Sequence, residues 1–173
     1  MRKGYEHQDG TRWRMVASMQ DEERPRWEPR LSYLVARLER VIRARLSAAL
    51  ERFDISVTQY TVLSVLERRP DLSNAQLARR SYITAQAMHQ TVNRLEERGL
   101  IARTVSPRHG RIQLTRLTAA GALLLRCCDE AVEGAEGLLF ASLGPDDRRR
   151  LRRLIQACVD SGARALGGVA GEQ

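Results

Sequence analysis

Apolar residues recur at helical spacing from Leu31 through Leu34, Val35, Leu38, Val41, Ile42, Leu46, Ala49, Leu50 and Phe53. Arg37, Glu39, Arg40, Arg43 and Arg45 take the opposite side, and Pro29 is well placed to open the segment. The pattern predicts a long amphipathic helix ending near Phe53. A second helix follows, capped by Ser56 or Thr58, with Tyr60, Val62, Leu63, Val65 and Leu66 apolar and Pro70-Asp71 closing it. Ser73-Asn-Ala-Gln76 fits a capping box, in which a hydroxyl and an amide satisfy each other's orphan N–H groups. The short helix it opens carries Ala75, Leu77 and Ala78. Tyr82 and Ile83 then make a tight turn, and Thr84 caps a helix over Ala85–Arg98. Gly99 stands where a left-handed residue ends such a helix.

After Gly99 the period changes. Leu100-Ile-Ala-Arg-Thr-Val105 suits a strand, and Arg111-Ile-Gln-Leu-Thr115 alternates. Ser106-Pro-Arg-His-Gly110 between them predicts a turn with a basic tip. Two short helices joined tightly, then a β-hairpin, spell a winged helix-turn-helix. Thr118 caps a long Ala- and Leu-rich helix reaching about Phe140, which Gly134 and Gly137 loosen and Gly144-Pro145 ends. The last helix places Leu151, Leu154, Ile155, Cys158 and Val159 on one stripe, with Arg148, Arg149, Arg150, Arg152 and Arg153 crowding its start.

Composition sharpens this outline. The 173 residues are 43% hydrophobic, 29% charged and only 5% aromatic, which suits one compact domain with appendages. The 29 basic residues exceed the 21 acidic ones by 8, and all but Lys3 are arginine. That excess favours polyanionic partners. Residues 1–57 carry a net +3, 58–118 a net +6, and 119–173 a net −1, so the nucleic-acid surface is expected in the middle third. No apolar run follows Met1-Arg2-Lys3 that would serve as a signal peptide, and Ala119–Leu125 is too short to span a bilayer. Three cysteines, two of them adjacent, make no disulfide framework. The expectation is a soluble cytoplasmic protein that needs no cofactor or metal. No phosphate-binding glycine loop, nucleophile elbow, paired-carboxylate or metal-ligand spacing points to an enzyme.

The chain resembles the MarR family of transcriptional regulators from about Leu31 to Leu166. The resemblance rests on Thr58-Gln-Tyr-Thr-Val-Leu-Ser-Val-Leu66, Leu72-Ser-Asn-Ala-Gln-Leu-Ala78, Leu95-Glu-Glu-Arg-Gly-Leu-Ile-Ala-Arg103 and Leu117-Thr-Ala-Ala-Gly121, in that order. It implies a mainly α protein with a small β-hairpin wing. A winged helix-turn-helix domain over 58–118 would join a helical dimerisation region formed by 29–57 and 119–166. Residues 1–28 read as a flexible extension, or as a segment packing on a partner subunit through Trp13 and Trp27; residues 167–173 read as a disordered tail. The implied assembly is a homodimer reading a pseudo-palindromic operator in double-stranded DNA. A small aromatic effector would bind where the winged modules meet the dimer region and release a repressor.

On the helix after Thr84, Met88, Val92 and Leu95 share a core face. Gln86, His89, Gln90, Asn93 and Arg94 lie on the other. Gln and Asn can bond adenine edges bidentately, Thr84 can touch a phosphate or thymine methyl, and His89 can meet either a base edge or a phosphate. Ser73, Asn74, Gln76 and Arg79 lie near a helix start suited to phosphate, and Arg94 joins them as a backbone contact. Arg108, His109 and Arg111 form the wing tip, where an arginine enters a narrow minor groove. The resemblance favours Arg111 for that insertion. The family commonly carries Asp two residues before this arginine; His109 stands there instead, so Arg111 lacks the carboxylate that would orient it.

Tyr33 and Tyr60 are candidates for the effector pocket, with core packing as the alternative. The arginine run at 148–153 reads as a solvated or salt-bridging face, with Glu130, Glu133 and Glu136 as partners. Cys127, Cys128 and Cys158 read as buried structural thiols, the rival being a cysteine-based oxidant sensor. A sequence-blind nucleoid-type DNA-binding protein is the other rival, and the Gln86/Gln90/Asn93 face speaks for specificity instead.

Overall fold

The computed structural model describes residues 28–107 and 110–169, with side chains as far as Gly162. The expectations for residues 1–27 and 170–173, and for Arg108 and His109, lie outside the described residues. Helix α1 spans Leu31–Leu50 and passes through a 3₁₀ turn, Glu51–Phe53, to Asp54 in the left-handed region. Thus α1 ends three residues before the predicted Phe53. Helix α2 covers Val57–Arg68, β1 Leu72–Ser73, α3 Asn74–Ser81 and α4 Ala85–Glu97. Strands β2 (Ile101–Val105) and β3 (Gln113–Leu117) precede α5 (Ala119–Leu139) and α6 (Pro145–Val169). The fold is mainly helical with a small winged sheet. Helix α6 continues three residues past Leu166, where the glycine-rich sequence predicts loss of order.

The chain divides into two compact units at Glu39/Arg40, within α1. In the second unit the core is Leu50, Ile55, Val62, Leu63, Leu66, Leu77, Met88, Val92, Leu95, Leu125, Cys128 and their neighbours. Met88, Val92 and Leu95 hold the predicted inner face of α4 there, which leaves the opposite face to solvent.

The sheet runs β1-β3-β2, antiparallel throughout. Leu72 and Ser73 pair with Thr115 and Leu114, while Ile101–Val105 pairs residue for residue with Leu117–Gln113. The second wing strand thus begins two residues later than its alternation predicts. Ser106 N–H donates to the Ile112 carbonyl at 2.7 Å, just beyond the last paired residue of β2 and just before β3.

Local chemistry sets the helix ends. Ser56 and Ser73 each close a capping box with the glutamine three residues on, Gln59 and Gln76. Thr84 and Thr118 cap α4 and α5 by accepting from Ala87 N and Gly121 N. Helix α4 ends in a Schellman arrangement: Gly99 (φ 68°) donates to Glu96 O at 2.8 Å and Leu100 to Leu95 O at 3.0 Å. Helix α3 ends the same way, Ile83 donating to Ala78 O at 3.2 Å, but its left-handed residue is Tyr82 (φ 53°). A side chain there costs about 1 kcal/mol that glycine would avoid.

Helix α5 is docked through its first turn. Thr118 donates from its N–H to Leu100 O (3.1 Å) and from its hydroxyl to Gly99 O (2.7 Å). One turn on, a Cβ on Gly121 would lie 2.0 Å from that same Leu100 oxygen. The Leu-Thr-Ala-Ala-Gly stretch is therefore a joint between the end of α4 and the start of α5.

Candidate nucleic-acid interface

Helices α3 and α4 and the β2–β3 hairpin form the candidate surface. On α4, Gln86, His89 and Gln90 are exposed, whereas Asn93 is half-buried. Asn93 Nδ2 lies 3.3 Å from His89 Nε2, and its Oδ1 has no protein partner although buried. Thr84 is exposed, and its hydroxyl oxygen already accepts from Ala87 N.

The expected phosphate-contacting set divides. Ser73 and Gln76 bond each other's backbone, and Asn74 donates to Ala85 O at 3.2 Å, tying the start of α3 to the start of α4. Arg79 and Arg94 are exposed. Arg94 borders a groove of about 840 Å³ that Ser47, Glu51, Asp54 and Arg98 also line. In the wing, Arg111 is exposed immediately after Gly110.

Several positioning residues carry no signal of their role in the sequence. Arg98 bonds the Asp54 carbonyl and, at 3.2 Å, that of Phe53, with the Asp54 carboxylate 3.6 Å away. It fastens the end of α4 to the corner after α1. Glu96 pairs with Arg103 and fastens α4 to β2. The Arg103 hydrogen bond holds the Glu96 carboxyl below its ordinary range against the opposing effect of burial. Arg116 meets Asp71 at 2.9 Å, which anchors β3 to the corner before β1. The acidic partners of these arginines lie 7 to 45 residues away along the chain, so nothing local marks the pairs.

Tyr60 donates its hydroxyl hydrogen to Asp129 Oδ1 at 2.7 Å and lines a cavity of about 470 Å³ with Thr61, Ser64 and Asp129. Tyr33 is 45% exposed on the first turns of α1, with the Arg37 guanidinium carbon 5.8 Å from its ring centroid, so core packing does not describe it. Burial, followed by the Asp129 carboxylate, pushes the Tyr60 phenol up to about 12. Its neutral form is therefore worth more in the folded chain. That contribution is complete below pH 10 and is lost as pH rises from 10 towards 12, where an unfolded tyrosine ionises first. Tyr60→Phe is expected to cost about 1 kcal/mol at neutral pH and to flatten the stability curve over that alkaline interval. Urea titrations at pH 7 to 11 measure both, and an unchanged slope excludes the coupling.

The thiols divide too. Cys128 is buried and pushed up chiefly by that burial, Cys127 is half-buried and Cys158 is exposed, so the expectation of three buried thiols fails at Cys158. From the arginine run, Arg148 caps the end of α5 through Phe140 O (2.7 Å) and Leu143 O (3.0 Å), and Arg149 pairs with Asp146. Among the described residues none of the run pairs with Glu130, Glu133 or Glu136. No group of three or more metal-ligating side chains gathers among the described residues, and no helix there is long and apolar enough to cross a membrane.

Residues 53–112 match a family model described as MarR family. The HTH-type transcriptional repressor Rv2887 of Mycobacterium tuberculosis is 33% identical over 126 residues, covering 73% of this chain and 91% of that protein. The crystal structure of the M. tuberculosis protein in complex with DNA superposes with a TM-score of 0.65 at 30% identity, covering 76% of this chain and 98% of the other. Its complex with salicylic acid gives 0.64 at 32%, covering 76% and 97%.

Proposed function

Because the chain belongs to the MarR family, we propose that it is a homodimeric transcriptional repressor that binds a pseudo-palindromic operator and is released by a small phenolic ligand. The observation that carries this reading is the outer face of α4. Gln86, His89 and Gln90 stand free of the core on a helix whose two ends are locked to α3, the α1 corner and the wing. A recognition helix needs both properties, amide groups for base edges and a fixed orientation in the major groove. Arg111 then enters the minor groove beside it.

Two uncovered apolar faces support the dimer. Leu31, Leu34 and Val35 on α1 are 72%, 44% and 58% exposed, and Leu154, Ile155 and Val159 on α6 are 57%, 47% and 43% exposed. Helical stripes of this kind call for a covering surface, and a second copy of α1, α5 and α6 supplies it. Two recognition helices would then meet half-sites about one DNA turn apart. A ligand preferring another spacing of those helices would weaken the complex by its differential affinity for the two states.

The test is fluorescence anisotropy on the DNA upstream of the protein's own gene against a scrambled duplex, at matched near-physiological salt. A preference of about a thousandfold or more is expected, with salicylate lowering it. Equal affinity for both duplexes sinks self-regulation, and indifference to salicylate and its phenolic relatives sinks the proposed ligand class.

A further inference from the structure

A second basic feature lies beside the base-reading face. Arg68 and Arg69 at the end of α2, with Gln76, Arg79, Arg80 and Tyr82 of α3 and its turn, line a cleft of about 530 Å³. All four guanidinium groups are exposed, and none of them pairs with a carboxylate among the described residues. Arg98, Arg103, Arg116 and Arg149 each have such a partner. Four unpaired like charges converging on one cleft repel one another, and a polyanion relieves that repulsion. Guanidinium forks match phosphate oxygens bidentately.

Tyr82 is the independent observation. It occupies a left-handed position where glycine is cheaper, yet the residue is 74% exposed where it lines the cleft. The ring gains almost nothing from the core in return for the backbone cost, and such uncompensated positions cluster where a ligand is met. Tyr82 also precedes the Thr84 cap by two residues. The Ile83–Ala78 and Asn74–Ala85 bonds hold the turn and the two helix starts together. The cleft therefore moves with the entering end of α4.

We propose that this cleft holds backbone phosphates of the DNA strand bordering the recognition helix, with Arg68, Arg69 and Arg80 as phosphate ligands and Tyr82 packed on the adjoining sugar. The proposal rests on the DNA-binding reading and extends the contact surface onto α2. The two successive arginine pairs line a track open to solvent, which suits a continuous strand better than an enclosed small anion.

The test compares the full-length protein with the Arg68→Ala/Arg69→Ala variant on operator and scrambled duplexes. It also uses operator duplexes carrying one neutral methylphosphonate at each position in turn. Both side chains are exposed, so thermal melting of the variant should match the parent. The variant is expected to bind operator and scrambled DNA more weakly by the same factor, about tenfold, with the salt slope lowered by roughly 2. At one or two phosphate positions, neutralisation should weaken the parent several-fold and leave the variant unchanged. A variant that retains every phosphate dependence of the parent overturns the proposal. So does a loss confined to the operator, which would mean base reading. Inorganic phosphate binding that depends on Arg68 and Arg69, without any change in the phosphate scan, overturns it in favour of a small anion. If the parent fails to prefer the operator, the repressor reading fails alone, because the uniform loss of affinity and the lowered salt slope of the Arg68→Ala/Arg69→Ala variant on any duplex still report the cleft.

Discussion

Gly121→Ala is expected to destabilise the folded protein by about 3 kcal/mol, although alanine is the better helix former. The added methyl carbon would stand 2.0 Å from the Leu100 carbonyl oxygen, and that oxygen is backbone, already engaged by Thr118 N–H. Neither side can yield alone. Moving Leu100 strains the Schellman end of α4, and moving α5 breaks the Thr118 bonds to Gly99 and Leu100. Gly134 lies in the same helix with nothing within 4 Å of its would-be Cβ. There Gly→Ala should stabilise by about 0.5–1 kcal/mol, the ordinary helix-propensity gain. Urea denaturation of both variants at one protein concentration tests the pair. Equal signs would show that the joint is compliant and Gly121 dispensable.

The second large effect concerns specificity. Gln86→Ala/Gln90→Ala should remove most of the preference for operator over scrambled DNA, since each bidentate amide–base pair supplies about 1–3 kcal/mol of discrimination. Affinity for scrambled DNA should stay within a factor of about two. Both side chains are exposed and outside the core, so melting should be unchanged. Anisotropy on the two duplexes measures the ratio. A variant that keeps the parental ratio would move base reading to His89, Asn93 or the wing. Asn93 is the weakest of the three amides as a base reader, because it is half-buried and already turned towards His89.

The division between what the sequence displays and what it conceals follows the range of the interactions. Capping boxes at Ser56 and Ser73, caps at Thr84 and Thr118 and the left-handed Gly99 are settled within four residues, and each is readable from its own neighbourhood. The apolar face of α4 is readable because its period is strict. By contrast, β1 is two residues long and exists only through pairing with β3 some 40 positions later. Arg98, Arg103 and Arg116 look like any of 29 basic residues until the fold brings each to its acceptor. Tyr82 in the left-handed region breaks the local preference outright, and only its surroundings account for it.

The cationic groups of the cleft and of the described wing are guanidinium without exception, since Lys3 is the only lysine in the chain. A guanidinium is a permanent cation at physiological pH, so a surface built from it keeps a constant electrostatic attraction for DNA. Acetylation has nothing to neutralise on this surface, and amine-directed coupling or crosslinking reagents would leave it intact. Tuning its strength by covalent chemistry would require modification of arginine itself.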